Sequence, residues 1–306
     1  MRPRAWQASS NFLGHTVTLT LAQYVAAASA VLTEAGVPSP AADARALAAH
    51  VLGLERFPVL PPEALPADFE ARFAALVERR RCREPLQHLV GWAPFRHLSL
   101  EVRRGVFVPR PETEMVAQVA IDEAAAVRRQ RRDPVVVELC CGAGGMALAV
   151  ASEVRGARVY AMDASAEATE LTRANAAAFG IVLAQVLTGD VRDATVFAEL
   201  DGTVDVVVAN PPYIPPDQVP IDPEVRDHDP ELALYGGGID GLEIPRAVLA
   251  AAARLLRPGG LLVMEHADSQ GRAARDEAHA RGGWEQVRTA PDLTGRDRML
   301  VARRAL

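Results

Sequence analysis

The spacing of apolar residues predicts helices in the first third of the chain. Apolar side chains recur at helical intervals in three short stretches, which are separated by turns rich in proline. Thr20 precedes the first stretch and belongs to the residue types that cap helix starts. We therefore predict a disordered leader over residues 1–19 and a small helical substrate-recognition domain over residues 20–90. The predicted helices are Leu21 to about Glu34, Pro40 to near Gly53, and Ala67 to Arg83.

A run of three arginines, Arg79-Arg80-Arg81, lies near the end of the third predicted helix. Cations at a helix C-terminus interact favourably with the helix dipole and are usually solvated. We therefore expect a solvated helix end here, in preference to a binding patch.

The pattern changes to strand-like alternation after Gly91. Apolar and polar residues alternate over Leu98–Val102 and again over Val106–Val108, and Arg103-Arg104-Gly105 between them is typical of a turn. The sequence therefore predicts a β-hairpin linker over residues 91–112, with its turn at Arg103–Gly105.

Strands and helices are predicted to alternate over residues 113–306. A helix over about Thr113–Arg132 is followed by apolar runs that are continuous, which is typical of strands buried on both faces. An α/β fold with a doubly wound parallel sheet is therefore predicted. The runs predicted as strands are Val135–Leu139, Arg158–Met162, Val204–Ala209 and Leu261–Glu265.

The composition allows two domains and limits the classes of binding partner to be expected. The chain has 306 residues, of which 49% are hydrophobic, enough for a large and a small core. Its net charge of −6 opposes a phosphate backbone, so a nucleic-acid partner is not expected. Cys82, Cys140 and Cys141 form no CxxC pair, so no metal site is predicted and a reducing cytoplasm fits best. Gln23 and Tyr24 interrupt the apolar stretch Val17–Leu32, so we expect neither a secretory signal nor a membrane partner. As a separate expectation, the protein is taken to be a monomer.

A loop of small residues connects the first predicted strand of the sheet to a helix. The strand Val135–Leu139 leads into Cys140–Gly144, and an apolar helix follows from Met146. Small residues let a ligand approach the backbone, and a helix start supplies unpaired N–H groups. The spacing differs from the GxGxxG of dinucleotide folds, so by itself the loop is equally consistent with a tight crossover that binds nothing.

Two acidic residues follow the next strands. Asp163 ends the second strand about twenty residues after the loop, where a carboxylate can accept both hydroxyls of a ribose. Asp190, after a short third strand, is expected near an adenine amino group. Alone, each acid is more often a solvated loop residue or a helix cap. Together with the loop they predict one nucleoside-shaped crevice at the carboxyl ends of adjacent strands.

The fourth strand, Val204–Ala209, delivers Asn210-Pro211-Pro212-Tyr213 into the same crevice. An amide nitrogen is a poor nucleophile because its lone pair is delocalised, so both of its N–H groups must be held as it attacks. Asn210 Oδ1 and the Pro211 carbonyl can accept those hydrogens, and Tyr213 offers a flat face to a planar substrate. Acceptors aimed at charge that develops on the nitrogen stabilise the transition state. The motif therefore predicts methylation of a planar amide or amino nitrogen, although proline-rich turns also follow strands in proteins without this chemistry.

At this point the sequence resembles the glutamine methyltransferases of translation release factors, the PrmC/HemK family. The resemblance covers residues from about 84 to the end, and the helical region before them corresponds to the family's release-factor-gripping domain. The matching motifs are Glu84-Pro85-Leu86 with Gly91, Val108–Glu114, Glu138–Gly144, Asn210–Ile214, Glu231–Leu234, the glycines at 236–238, Asp240-Gly241-Leu242, Pro258-Gly259-Gly260 and Gly295–Arg298.

The resemblance implies a Rossmann-like class I methyltransferase domain. It implies S-adenosyl-L-methionine as methyl donor, S-adenosyl-L-homocysteine as product, and the glutamine of a Gly-Gly-Gln loop in a peptide chain release factor as acceptor. By position, the cofactor-binding residues are Glu138, Cys140, Cys141, Gly142, Ala143, Gly144, Asp163, Asp190, Val191 and Asn210. The substrate-binding residues are Phe107, Arg110, Pro111, Glu112, Asn210, Pro211, Pro212 and Tyr213, and the catalytic ones are Asn210, Pro211 and Tyr213.

The sequence departs from the family pattern at three places. Cys140 stands where the first glycine of the loop is usual, which suggests a slightly different backbone path. His266 follows Glu265 where a glycine is usual, and the first twenty residues have no counterpart. These differences leave open a related enzyme that acts on another protein or on a peptide natural product.

Three further alternatives remain at this stage. The NPPY motif is similar to that of nucleic-acid amino-methyltransferases, although the acidic charge opposes such a partner. A non-catalytic release-factor or ribosome-binding protein could keep the fold, because fold does not prove function. Arg110 and Glu112 could form only an ion pair at a helix start, which is worth little at a surface.

Overall fold

The computed structural model describes residues 19–60 and 62–306. The leader predicted over residues 1–19 lies outside the described residues except for Leu19. Within the described part, the chain forms two compact units. One contains the residues up to Gly91 together with Asp222–His228, and the other contains Trp92–Ile221 and Asp229–Leu306. No helix in the described ranges is long and apolar enough to cross a membrane.

Helices are numbered here in chain order. They are α1 (Leu21–Glu34), α2 (Pro40–Val51), α3 (Phe69–Arg81), α4 (Leu86–Val90), α5 (Thr113–Arg129), α6 (Gly145–Glu153), α7 (Ala166–Ala178), α8 (Pro223–Arg226), α9 (Glu231–Leu234), α10 (Glu243–Leu255) and α11 (Gly271–Arg281).

Strands are numbered in the same way. They are β1 (Trp92–Phe95), β2 (Leu98–Glu101), β3 (Val135–Leu139), β4 (Arg158–Asp163), β5 (Gln185–Thr188), β6 (Val204–Ala209), β7 (Leu256–Glu265), β8 (Trp284–Pro291) and β9 (Asp297–Arg304).

The helical unit is held by an aromatic core and by its first helix cap. The Thr20 side chain accepts from the Gln23 amide while the Gln23 side chain accepts from the Thr20 amide, a capping box that starts α1 as predicted. Tyr24 packs edge-on against Phe69, whose ring is stacked on Phe73 with 5.3 Å between centroids. The three helices predicted from periodicity are therefore present, each ending within about two residues of its predicted bound.

Arg80 corrects the prediction of a solvated helix end. Its side chain is only 6% exposed and donates to Asp43 and Glu224, each at 2.7 Å. It also donates to the Glu84 carbonyl at 3.0 Å. Three consecutive helical residues point in directions about 100° apart, so one member of the run faces the core. Arg81, by contrast, makes an exposed pair with Glu78.

The β-hairpin is present, but its predicted turn is wrong. Strand β1 pairs antiparallel with β2, with Phe95 opposite Leu98, so the turn lies at Arg96-His97 and not at Arg103–Gly105. The first strand contains Pro94, which hid its alternation. A two-stranded ribbon tolerates a proline because an edge position needs no N–H donor there.

The seven-stranded sheet has the order β5-β4-β3-β6-β7-β9-β8. Strands β5, β4, β3, β6 and β7 are parallel, which confirms the predicted doubly wound α/β fold. Strand β9 pairs antiparallel with β7, and β8 with β9, so the sheet is not wholly parallel. These two strands carry many polar residues and were not predicted from the sequence.

Both faces of the sheet are covered by apolar layers. Val206 and Val208 of β6 belong to one core cluster, with residues of α5 and α6, whereas Val207 and Ala209 belong to another, with residues of α10. This division explains why the strand sequences are continuously apolar. It also leaves the carboxyl ends of the strands as the place where polar side chains collect.

Candidate active site

The loop between β3 and α6 requires small residues. Gly142 and Gly144 have φ angles of +53° and +83°, in the region that favours glycine. A Cβ added to Gly144 would lie 2.8 Å from Thr172 Cγ2, closer than carbon atoms approach. A side chain at position 144 would therefore require Thr172 or the loop to shift.

Cys140 adopts a left-handed backbone conformation, which glycine can adopt without steric penalty. Its φ is +61°, so the cysteine is accommodated in a left-handed loop residue. Burial, followed by nearby carboxylates, raises the pKa of the Cys140 and Cys141 thiols well above the ordinary value. Both thiols are therefore neutral near pH 7 and are not nucleophiles.

Glu138 lies beneath the same loop, almost completely buried. Its Oε2 accepts from the Ala147 amide at 2.7 Å, in the first turn of α6. Burial raises the pKa of Glu138 to about 8, although the backbone hydrogen bond opposes this shift. The carboxyl thus ties the end of β3 to the helix start and fixes the loop between them.

Asp163 joins the end of β4 to the loop. Its Oδ2 accepts from the Gly142 amide at 2.8 Å, and its Oδ1 accepts from the Ser165 amide at 2.9 Å. The Cys141 amide also donates to the Met162 carbonyl at 2.9 Å. Burial raises the pKa of Asp163, and the backbone donors oppose this shift. The sequence prediction that Asp163 and the loop lie together is correct.

Asp190 follows β5 and is partly exposed. Its carboxylate accepts from the Arg192 amide at 2.8 Å and pairs with the Arg192 guanidinium, and these contacts lower its pKa. The neighbouring Gly189 amide donates to the Asp163 carbonyl at 2.9 Å, which holds the ends of β4 and β5 together. Val191 is buried in the apolar cluster beneath.

The NPPY turn after β6 is clamped by a later segment. The Tyr213 and Ile214 amides both donate to the Leu234 carbonyl, at 3.2 and 2.9 Å. Gln270 Nε2 donates to the Tyr213 carbonyl at 2.8 Å. A Cβ on Gly236 would lie 2.7 Å from the Pro212 carbonyl oxygen, so that glycine allows the close approach. The turn is therefore rigidly placed at the strand end.

Asn210 and Tyr213 both connect to one buried carboxyl group. Asn210 Nδ2 donates to Thr113 Oγ1 at 3.3 Å, and Thr113 Oγ1 donates to Glu265 Oε2 at 2.8 Å. The Tyr213 hydroxyl donates to Glu265 Oε1 at 3.4 Å.

No role was assigned to Thr113 or Glu265 from the sequence. Thr113 lies in the matching motif Val108–Glu114, and Glu265 immediately precedes His266, where the sequence departs from the family pattern. The available signal in the sequence was that Glu265 ends a predicted strand of the parallel sheet, where functional side chains tend to collect.

Arg110 has a partner that the sequence did not suggest. Its guanidinium pairs with Asp229, whose side chain is fully buried, and not with Glu112. The same guanidinium lies 5.0 Å from the centre of the Phe107 ring. Pro111 and Glu112 lead into α5, where the Glu114 amide donates to the Pro111 carbonyl. The alternative in which Arg110 and Glu112 form only an ion pair with each other is therefore not supported.

Family models match both parts of the chain. Residues 23–91 match the PrmC N-terminal domain, and residues 118–221 match the methyltransferase small domain. A release factor glutamine methyltransferase from Streptomyces coelicolor is 47% identical over 95% of this chain and 100% of that protein. The chain belongs to the release factor glutamine methyltransferase family. The family resemblance identified from the motifs is confirmed.

Other relatives show the breadth of this similarity. A release factor glutamine methyltransferase from Bifidobacterium longum is 45% identical, over 90% of this chain and 96% of that protein. A 4-amino-L-phenylalanine/4-methylamino-L-phenylalanine methyltransferase from Streptomyces pristinaespiralis is 42% identical, over 89% of this chain and 91% of that protein. Membership of the family makes the protein an S-adenosylmethionine-dependent methyltransferase, which argues against the non-catalytic alternative.

The residues at the strand ends fit this cofactor. The glycine loop leaves no side chain at position 144, where Thr172 would block one, and it leads directly into the start of α6. Asp163 and Asp190 provide carboxylate acceptors of the kind that hydroxyl and amino groups of a nucleoside need. They follow β4 and β5, which stand in order beside β3 and β6 in the sheet.

Proposed function

We propose that the protein methylates the side-chain amide nitrogen of the glutamine in a Gly-Gly-Gln loop of a peptide chain release factor. The observation that carries this proposal is the arrangement of Asn210, whose Nδ2 is engaged by Thr113 so that its Oδ1 is left as an acceptor. The relatives named release factor glutamine methyltransferase support the choice of a protein glutamine.

S-adenosylmethionine, when bound, supplies an electrophilic methyl carbon. The chain's part is to hold the substrate nitrogen in line with that carbon and to accept hydrogen bonds from its two N–H groups. One of these two protons is lost to water as the nitrogen gains the methyl group. Asn210 Oδ1 and the Pro211 carbonyl are the proposed acceptors, and the Tyr213 ring is the proposed flat support. These contacts strengthen as positive charge develops on the nitrogen, so they lower the barrier more than they stabilise the bound substrate. Proximity in a closed site supplies much of the remaining effect.

The cofactor roles follow the strand order. We assign the loop from Cys140 to Gly144, with Glu138 fixing it, to the methionine part of the cofactor. Asp163 is assigned to the ribose hydroxyls, and Asp190 with Val191 to the adenine. Each of the two Asp163 carboxylate oxygens accepts a hydrogen bond from one backbone N–H group, and each can accept a second hydrogen bond from a ribose hydroxyl.

The protein-facing roles are assigned separately. Phe107, Arg110, Pro111 and Glu112 are proposed to wall the glutamine pocket, with Arg110 held by Asp229. The helical unit is proposed to grip the release factor. We further propose that the protein is a monomer in the cytoplasm, as expected from the sequence.

The decisive experiment is intact-mass analysis of a purified release factor after incubation with the full-length protein and S-adenosylmethionine. We expect a gain of one methyl group, mapped by peptide sequencing to the glutamine of the Gly-Gly-Gln loop. A release factor in which this glutamine is replaced serves as the control and should remain unmodified. No mass gain in the unaltered factor would contradict the proposal.

One alternative substrate has specific support. The relative named as a 4-amino-L-phenylalanine methyltransferase suggests an arylamine nitrogen, which is also planar and conjugated. Assays with 4-amino-L-phenylalanine and with DNA should run in parallel with the release factor. Methyl transfer to the amino acid or to DNA, with none to the release factor, would replace the proposed substrate.

Two variants test the assigned roles. Asn210→Ala should reduce methyl transfer by at least about a hundredfold, because it removes an acceptor used in the transition state. The dissociation constant of Asn210→Ala for S-adenosylhomocysteine should stay within about threefold of the wild-type value.

Asp163→Asn should instead weaken the binding of S-adenosylhomocysteine, by about tenfold or more, because a carboxylate acceptor is lost. Calorimetry and initial rates separate the two effects, and wild-type turnover in Asn210→Ala would refute its role.

A further inference from the structure

Glu265 is a buried carboxyl group for which the proposed chemistry has no direct use. It ends β7, the strand next to β6 in the sheet, and only 1% of its surface is exposed. Isolating a carboxylate from water is costly unless hydrogen bonds compensate. Its position beside the NPPY turn therefore calls for an explanation.

The compensating donors come from both sides of the turn. Glu265 Oε2 accepts from the Thr113 hydroxyl at 2.8 Å, and Oε1 accepts from the Tyr213 hydroxyl at 3.4 Å. Thr113 is itself buried and opens α5, 152 residues earlier in the chain. One carboxyl group thus holds the tyrosine of the turn directly and its asparagine through a threonine.

The direction of these hydrogen bonds fixes the Asn210 amide. A carboxylate only accepts, so Thr113 must donate its single hydroxyl proton to Glu265. The Thr113 oxygen can then only accept from Asn210, which requires the amide nitrogen to face it. The amide oxygen consequently faces the other way. Without Thr113, no hydrogen-bond partner on this side would favour the amide nitrogen of Asn210 over its oxygen.

We propose that Glu265 and Thr113 are positioning residues, which orient the Asn210 side chain so that its Oδ1 is presented to the substrate nitrogen. The inference rests on the proposed function, because only a hydrogen-bearing substrate nitrogen needs that oxygen. Neither residue touches the reacting atoms. Both act through Asn210.

The protonation state of Glu265 provides a readout that packing alone would not. Burial raises the pKa of Glu265 to about 7, and Glu112, Arg298 and Tyr213 are the other ionisable groups that act on it. Protonated Glu265 carries a hydrogen of its own and no longer compels Thr113 to donate. Turnover should therefore fall as the pH drops through about 7, whereas Glu265→Gln should lack this acidic limb.

The kinetic experiment compares three threonine variants of the full-length protein. Thr113→Val removes the hydroxyl with little change in shape and should lower kcat at least about tenfold, with KM for both substrates within about threefold. Thr113→Ser restores a hydroxyl and should recover most of kcat. Thr203→Val is the matched control, because its hydroxyl donates to the Leu200 carbonyl at the opposite end of β6, and kcat should be unchanged.

A second measurement does not depend on the release factor. In nuclear magnetic resonance spectra of the protein with S-adenosylhomocysteine, the Asn210 side-chain amide should show one proton protected from exchange. Its signals are assigned by their loss in Asn210→Asp. Protection should disappear in Thr113→Val and persist in Thr113→Ser.

The outcomes separate this inference from the proposed function. If the wild type does not methylate the release factor but the protection pattern is as expected, the proposed function fails and the orientation of Asn210 stands. If Thr113→Val turns over like the wild type, or if Asn210 shows equal exchange in every variant, the positioning role is refuted. An acidic limb unchanged in Glu265→Gln would also overturn it.

Discussion

Thr172 disfavours any side chain at position 144. The Gly144 φ of +83° disfavours other residues, and a Cβ there would lie 2.8 Å from Thr172 Cγ2 and 3.0 Å from its Oγ1. Two separate penalties, one from the backbone and one from packing, therefore act at this residue.

We predict that Gly144→Ala destabilises the protein more than Gly180→Ala. Gly180 also has a positive φ, +63°, but no atom lies within 4 Å of an added Cβ. Both changes should cost about 1 kcal/mol for the backbone conformation. Gly144→Ala should cost about 1–3 kcal/mol more for the clash. Urea denaturation of the cofactor-free variants measures both, and equal losses would show that Thr172 moves aside freely.

Residue types predicted the loop but not the hydrogen bonds of its neighbours. The small residues of 140–144 and the carboxylate of Asp163 were found from spacing alone, and the structure places Asp163 on the Gly142 amide. Cys140 adopts a φ of +61°, and the different backbone path suggested for it relative to the family stays a prediction. Local conformational strain of this kind is decided by the surrounding packing.

At the scale of elements, helix α3 shows how adjacent identical residues acquire different roles. Arg80 connects α3 to Asp43 of α2 and to Glu224 of α8, all within the helical unit. Arg83, just after α3, pairs with the same Glu224 at 2.6 Å. These ion pairs thus connect the short segment Asp222–His228 to the helices.

We predict that Arg80→Ala destabilises the helical unit by about 3–5 kcal/mol, because it leaves the buried Asp43 carboxylate without its cation. Arg81→Ala is the matched control. Its pair with Glu78 is exposed at both ends, so its loss should cost less than about 1 kcal/mol. Denaturation followed by far-ultraviolet circular dichroism compares them, and similar losses for the two variants would contradict the assignment of Arg80 to the core.

Elements with strong periodicity were predicted well, and the weak ones were not. Strands β3 and β6 have the predicted bounds because both faces of each are apolar. The hairpin turn was misplaced because Pro94 concealed β1. Strand β8 was missed because much of its length faces solvent and is polar. Strand β9 was missed because its buried apolar run, Met299–Ala302, is short and is flanked by charged residues on both sides. Periodicity reports burial, so it is weakest where burial is partial.

For the whole molecule, two buried carboxyl groups couple stability to pH. Burial raises the pKa of Glu138 to about 8 and that of Glu265 to about 7. In the unfolded chain both would titrate near the ordinary value of about 4.3. Between these limits the folded protein binds more protons than the unfolded chain, so its stability falls as the pH rises.

We predict that the free energy of unfolding of the cofactor-free protein decreases between about pH 6.5 and pH 8.5. Each group contributes a slope of at most about 1.4 kcal/mol per pH unit. His50 and His266 have lowered pKa values and contribute with the opposite sign, but only below about pH 6.5. Urea denaturation at several pH values gives the slope.

Two variants locate the source of this slope. Glu138→Gln should flatten it, because the proton held by the buried carboxyl is no longer exchanged. Glu153→Gln is the control, since the pair with Arg96 lowers the pKa of Glu153 and confines its effect to acid pH. An equal slope in the wild type and in Glu138→Gln would mean that other groups carry the linkage.

The amino-acid sequence alone determined the α/β fold class, the helical region before it, the order of the motifs and the residues of the NPPY turn. These follow from local periodicity and residue chemistry, which a short window of sequence contains. Only the tertiary structure decided that Glu265 meets Thr113 and Tyr213, that Arg110 pairs with Asp229, and that Arg80 is buried. Such contacts join residues far apart in the chain, so they depend on strand order and on which helix face turns inward.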